Sequence, residues 1–150
     1  MLRILFVCLG NICRSPSAEA VMRGLIASEG IEGVEIDSAG TGDWHVGNPA
    51  DPRAIAAATE RGVEINGRAR QVRPSDFGEY DLILAMDRSN HADLLAMEGV
   101  DPGKVRLFRE MAGEGELDVP DPYYGGEGGF SDVLDILENG CAVILEEVRP

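Results

Sequence analysis

An apolar run over Leu2–Val7 leads directly into Cys8-Leu9-Gly10-Asn11-Ile12-Cys13-Arg14-Ser15-Pro16, and this junction constrains the fold more than any other stretch. The run is rich in β-branched and large apolar residues, as a buried strand requires. Ser15 is a favourable N-cap and Pro16 suits the first helical position, so a helix is expected to begin there. The short loop between strand and helix can turn its backbone N–H groups onto one point, where the helix N-terminus adds positive potential. That is a receptor for an anion.

Cys8 and Arg14 give this receptor chemistry. The same dipoles and the Arg14 guanidinium favour a thiolate over a thiol at Cys8. Arg14 can fork two donors onto the oxygens of an oxyanion. A nucleophile and an oxyanion site thus share one loop, which suits phosphoryl transfer through a cysteinyl-phosphate. A bare Cys-x5-Arg arises often by chance as a buried cysteine and an unrelated arginine. The strand before it, Gly10 within it and Ser15-Pro16 after it favour the anion site.

A chain of 150 residues suits one domain over residues 1–150 with one substantial core. No apolar stretch reaches the roughly 18 residues of a membrane span. The first apolar run is not followed by a small-residue cleavage site, so no signal peptide is expected. Three cysteines, one of them reactive in pattern, suit a reducing compartment, and a cytoplasmic location is expected. The formal net charge of -14 argues against nucleic acid and anionic membrane as partners. Lys104 is the only lysine. A phosphorylated substrate is also an anion, so the loop must supply local positive potential against an unfavourable global field.

Strand and helix segments alternate, which predicts an α/β fold with a parallel sheet. Strands are expected at Leu2–Val7, Val34–Ser38, Leu82–Met86 and Val105–Phe108. Helices are expected at Pro16–Glu29, Pro52–Arg61 and Arg88–Glu98, with a helical turn at Ser75–Tyr80. Met111–Gly129 lacks periodicity and is crowded with Gly, Pro and acidic residues, as functional loops often are. Phe130, Val133, Leu134, Leu137, Cys141, Ile144, Leu145 and Val148 then mark one face of a closing helix. Ligands of open α/β sheets bind beyond the carboxyl ends of the strands, where Cys8 lies.

A departing phenolate needs a proton, and 27 acidic residues compete to supply it. Asp121 stands out because Val119-Pro120-Asp121-Pro122 is stiff and has apolar and aromatic neighbours. On the residues alone it balances between a turn-forming Asp-Pro and a general acid. Trp44, Tyr123 and Tyr124 can form aromatic walls for a flat phenyl phosphate, with ordinary partial burial as the competing role. His45 and His91 show no metal-ligand spacing with any cysteine. No metal and no cofactor are expected.

The loop Cys8-Leu9-Gly10-Asn11-Ile12-Cys13-Arg14-Ser15 resembles the signature of the low-molecular-weight protein tyrosine phosphatases. The resemblance continues through Asp37-Ser38-Ala39-Gly40, Asp43-Trp44, Asp51-Pro52-Arg53-Ala54, Ala69-Arg70-Gln71, Met86-Asp87 with Asn90, and Asp121-Pro122-Tyr123-Tyr124-Gly125. It implies a four-stranded parallel twisted sheet in the order 2-1-3-4, flavodoxin-like or Rossmann-like, with helices on both faces. It also implies hydrolysis of phosphotyrosine in proteins or peptides, by a chain taken to be a monomer. Cys8, Arg14 and Asp121 would be catalytic. Leu9, Gly10, Asn11, Ile12, Cys13, Ser15, Trp44, Tyr123 and Tyr124 would line the phosphate and ring sites.

The resemblance further casts Ser15 as a donor to the thiolate, and Asn11 with Ser38 as the scaffold of the loop. It makes Cys13 the redox partner of Cys8 through a reversible disulfide. One position departs from the pattern: Gly67 stands where the family commonly has a histidine, a gap for Asn66 or a water to fill. An arsenate reductase on the same fold would need further thiols between Asp81 and Glu98, where there are none. A phosphoarginine phosphatase would carry threonine in place of Ile12. A non-catalytic phosphate-binding module would not need both Cys8 and Asp121.

Overall fold

The computed structural model describes residues 1–124 and 129–150, the side chain of Tyr124 excepted. Strand β1 (Leu2–Cys8) lies inside a four-stranded parallel sheet, between β2 (Val34–Gly40) and β3 (Leu82–Ala85), and β4 (Val105–Leu107) closes the far edge. The order is 2-1-3-4, with Cys8 opposite Gly40 and Val7 opposite Ala85. Among the described residues there are also six helices: α1 (Arg14–Glu29), α2 (Pro52–Glu60), α3 (Asp76–Glu79), α4 (Arg88–Leu95), α5 (Phe108–Met111) and α6 (Gly129–Val148). A 3-10 turn covers Pro122–Tyr124. Among the described residues, no helix is long and apolar enough to cross a membrane.

Side chains alternate across a strand, so β1 feeds two cores. Ile4, Phe6 and Cys8 point into the core built with α1, α2 and α6, where Phe6 meets Phe108 at 6.3 Å between ring centres. Leu5 and Val7 point the other way, among Phe77, Ile83 and Leu94. Helix α6 buries Val133, Leu134, Leu137, Cys141, Ile144 and Leu145, as its periodicity predicts. With helices on both faces, the carboxyl ends of β1, β2 and β3 are left to loops, while β4 runs directly into α5.

Several boundaries differ from the sequence reading. Helix α1 starts at Arg14 with Cys13 as its N-cap and no side-chain cap. The expected cap, Ser15, is fully buried inside the first turn, because its hydroxyl is engaged at Cys8 and Asn11 instead. Strand β4 stops at Leu107, and Phe108 opens the short helix α5, drawn in by its ring packing on Phe6. The long stretch after Met111 is tied down by tertiary bonds. The Val119 N–H donates to Met86 O and Arg109 Nη1 donates to Asp118 O, which brings Asp121 over the end of β1 and β3.

Candidate active site

The loop from Cys8 to Arg14 wraps around the Cys8 sulfur. The Asn11 N–H donates to Cys8 Sγ at 3.3 Å, and Ser15 Oγ lies 3.0 Å from the same atom. Asn11 holds φ at +57°, a left-handed conformation uncommon for a residue with a side chain. Its carboxamide supports that shape on three sides. Nδ2 donates to Ser15 Oγ (2.8 Å) and Ser38 Oγ (3.0 Å), and Oδ1 accepts from the Arg70 N–H (2.9 Å). Gly40, the last residue of β2, completes the support: a Cβ there would stand 2.7 Å from Leu9 O and 3.1 Å from Asn11 N.

Arg14 enters from the first turn of α1 and is 3% exposed. Nη1 donates to Asp87 Oδ2 at 2.6 Å and to Val119 O at 3.0 Å. Asp87 is itself held, because its Oδ1 caps α4 through the Asn90 N–H at 2.7 Å. Burial works against the charge on Arg14, but Cys8, Asp87 and Asp121 outweigh it and push its pKa upward. The guanidinium is therefore a fixed cation whose second nitrogen, Nη2, lies 3.6 Å from Asp121 Oδ2. Asp121 is anchored through Oδ1, which accepts the Tyr123 N–H at 3.0 Å.

These groups line one cleft of about 360 Å³, formed by the loop residues Cys8, Leu9, Gly10, Ile12, Cys13 and Arg14 together with Trp44, His45, Asp121 and Tyr123. Trp44 is 71% exposed and stands at its mouth, with Tyr123 at 37% across from it. The His45 ring lies 6.3 Å from that of Tyr123 and 3.0 Å from where a Cβ on Gly10 would be. Ile12 turns away in part, packing with Cys13 and Ala69 against Phe130. The expectations for the Tyr124 side chain and for Gly125 lie outside the described residues.

The other two thiols are muted. Burial, and then the Asp51 carboxylate facing it, push the Cys13 pKa up to about 12, so Cys13 is a neutral thiol in the physiological range. Asp51 is stabilised as an anion, its pKa lowered chiefly by the hydrogen bond from Arg53. Cys141 is fully buried, with its pKa raised by desolvation, and its Sγ faces Ala18 O at 3.8 Å. All three cysteines are free. No group of three or more His, Cys, Asp or Glu is placed to hold a metal ion among the described residues.

The model of the low molecular weight phosphotyrosine protein phosphatase family matches residues 3–150. The chain belongs to that family. A low molecular weight protein-tyrosine-phosphatase of Streptomyces coelicolor is 47% identical over 154 residues, covering 98% of this chain and 93% of the relative. The crystal structure of a protein tyrosine phosphatase from Entamoeba histolytica, with Hepes in its active site, superposes with a TM-score of 0.92 at 40% identity, covering 99% of this chain and 97% of that one. A drosophila arginine phosphatase superposes at 0.90 with 30% identity, covering 99% of both chains.

Of the site residues read from the sequence of this family member, Cys8, Leu9, Gly10, Ile12, Cys13, Arg14, Trp44, Asp121 and Tyr123 line one cleft, while Ser15 is fully buried and lies with Asn11 and Ser38 behind it. Its departure at Gly67 does not open the scaffold. Gly67 has φ +86°, no atom lies within 4 Å of where its Cβ would be, and Asn66 is exposed beside it. Neither Gly67 nor Asn66 is needed by the Asn11 side chain, whose hydrogen bonds go to Ser15, Ser38 and the Arg70 N–H. Four contributors are absent from the sequence reading of the site: Asp87 and the Val119 carbonyl on Arg14, the Arg70 N–H on Asn11, and His45 in the cleft wall. Backbone groups carry no sequence signal. Asp87 has a weak one, a carboxylate just past a strand end and three residues before Asn90.

Proposed function

We propose that this chain is a protein tyrosine phosphatase that hydrolyses aryl phosphates through a cysteinyl-phosphate. The observation that carries the reading is the meeting of a thiol, a guanidinium and a carboxyl in one cleft with aromatic walls. Cys8 attacks phosphorus in line, forming the S–P bond as the P–O bond to the ring breaks. Asp121 gives its proton to the departing phenolate oxygen. Arg14 and the loop amides hold the equatorial oxygens, where negative charge is spread in the transition state. In the second step Asp121 takes a proton from water, the water oxygen attacks phosphorus, and the S–P bond breaks to release phosphate and the Cys8 thiolate. Ser15, 3.0 Å from Sγ, stabilises that leaving thiolate.

Trp44 and Tyr123 would receive the ring, because aromatic walls offer a flat phenyl group more contact than a short alkyl one. The substrate would be a phosphotyrosine in a protein or peptide. The free thiols suit a reducing compartment, so the cytoplasm is the proposed location. A second reading, phosphoarginine hydrolysis, has the support of the 30%-identical arginine phosphatase structure. Ile12 and the aromatic wall argue for the aryl substrate. The deciding experiment compares release of phosphate from phosphotyrosine, phosphoarginine and phosphoserine peptides. Phosphotyrosine is expected to lead. Preference for phosphoarginine would transfer the function to the second reading, and binding without turnover would reduce the chain to a phosphate-binding module.

A further inference from the structure

We infer that Glu19 is a positioning residue for Cys8, acting through Ser38, Asn11 and Ser15. The inference rests on the phosphatase reading and deepens it. Arg70 N–H is a fixed donor, so it claims Asn11 Oδ1 at 2.9 Å and turns Nδ2 toward the two serines. Both Nδ2 protons are then spent, on Ser15 Oγ at 2.8 Å and Ser38 Oγ at 3.0 Å. Each serine is thereby an acceptor from Asn11 and must send its own O–H elsewhere. Ser38 donates to Glu19 Oε1 at 2.6 Å, the short distance of a charge-assisted bond. Ser15 has its proton left for Cys8 Sγ at 3.0 Å, with Ala39 O more distant at 3.3 Å. The hydrogen bonds thus diverge from the Asn11 amide along two arms, one ending on the Glu19 carboxylate as acceptor and the other on the Cys8 sulfur.

The placement of Glu19 needs such a role, because its charge is unfavourable there. It is one turn along the helix whose N-terminus receives the anion, with its side chain 13% exposed, and burial raises its pKa despite the bonds from Ser38 and Arg23. Arg23 Nη1 meets Oε2 at 2.7 Å, and Asp37 from β2 adds repulsion. Together with Asn11, Ser38 and residues 66–68, Glu19 and Asp37 line a cavity of about 120 Å³ behind the loop. That space can hold water. Without Glu19, Ser38 would donate into it with no fixed direction, and the carboxamide would lose one of its two aligned acceptors.

The sign of one measurement separates this from simple electrostatics. The pH midpoint of Cys8 alkylation by iodoacetamide is followed in Glu19→Ala, Glu19→Gln and Ser38→Ala. Loss of a negative charge alone would favour the thiolate and move both Glu19 variants downward. The hydrogen-bond chain predicts a rise of about one pH unit in the midpoint of Glu19→Ala, a roughly tenfold change in the thiol–thiolate equilibrium constant. Glu19→Gln, which keeps an acceptor oxygen, recovers most of it. Ser38→Ala leaves α1 untouched and is expected to rise likewise, and the Glu19→Ala/Ser38→Ala double variant should rise no further. Downward shifts in both Glu19 variants, an unmoved midpoint, or additive effects would overturn the inference. Wild-type turnover of an aryl phosphate is measured in parallel. Its absence with the shifts present would sink the phosphatase reading and leave the chain of bonds standing.

Discussion

At the scale of single residues, the proposed roles divide between groups that react and groups kept from reacting. Asp121 has its side chain 35% exposed, 3.6 Å from the Arg14 guanidinium. Asp121→Asn is expected to slow aryl phosphate hydrolysis by roughly 10²–10⁴-fold. The loss should shrink as the leaving group becomes a more stable anion. A constant loss across a series of substituted phenols would make the residue structural only. Cys13 presents the opposite case, a thiol held neutral up to about 12. On the proposed reading, peroxide would oxidise Cys8 to a sulfenic acid, and attack by the Cys13 sulfur would expel water and close a disulfide that a thiol reductant reopens. The Cys13 proton must leave first, and Asp51 is the carboxylate facing it. Cys13→Ser is therefore expected to make peroxide inactivation much harder to reverse with dithiothreitol. Equal recovery of activity in variant and wild type would remove Cys13 from that role.

At the scale of elements, the loop is shaped by its neighbour strand as much as by its own residues. The end of β2 passes so close that Gly40 has space for hydrogen only, with Leu9 O at 2.7 Å from any added Cβ. Both contacts are backbone, so nothing flexible can give way. Gly40→Ala is expected to push the loop outward, costing about 1–3 kcal/mol of stability as overpacking does. Because reacting atoms tolerate little displacement, kcat/KM should fall by roughly 10²-fold. Thermal unfolding and steady-state kinetics read the two effects separately. Full activity with unchanged stability would show that the loop does not lean on β2. The sequence shows a glycine here, following Ser38 and Ala39, but not the approach that requires it.

At the scale of the whole molecule, a net charge of -14 surrounds a site built for an anion. The Arg14 guanidinium, proposed to bind the phosphate, is enclosed and already paired with Asp87, so it projects little field to long range. Approach of an acidic phosphopeptide is opposed by the global charge, and salt screens that repulsion over a Debye length of about 10 Å at 0.1 M. With salts that do not occupy the loop, kcat/KM for acidic phosphopeptides should rise or stay level from low to moderate ionic strength. Basic phosphopeptides should lose rate over the same range. A steep fall for the acidic series would reveal a positive rim that dominates the approach.

Much of this protein is determined by local sequence. The apolar run of β1, the periodic face of α6 and the alternation of elements dictate a parallel α/β sheet, because burying those faces permits few alternatives. The Cys8–Arg14 loop is legible because its pattern depends on side-chain type and short spacing, whereas Asp121 is balanced on the residues alone and is singled out by the family resemblance. Other features arise only in three dimensions. Ser15 reads as a helix cap from its neighbours, yet tertiary partners take its hydroxyl and the helix begins at Arg14. Phe108 reads as strand, but its ring is claimed by Phe6 and the chain turns into a helix. Asp87, the Val119 carbonyl and the Arg70 N–H come to the site from distant positions through backbone geometry and strand order. Glu19 is one acid among 27 in the sequence. It becomes distinct when Ser38 and Asn11 connect it to the sulfur, since the direction of a hydrogen bond is decided by which groups meet.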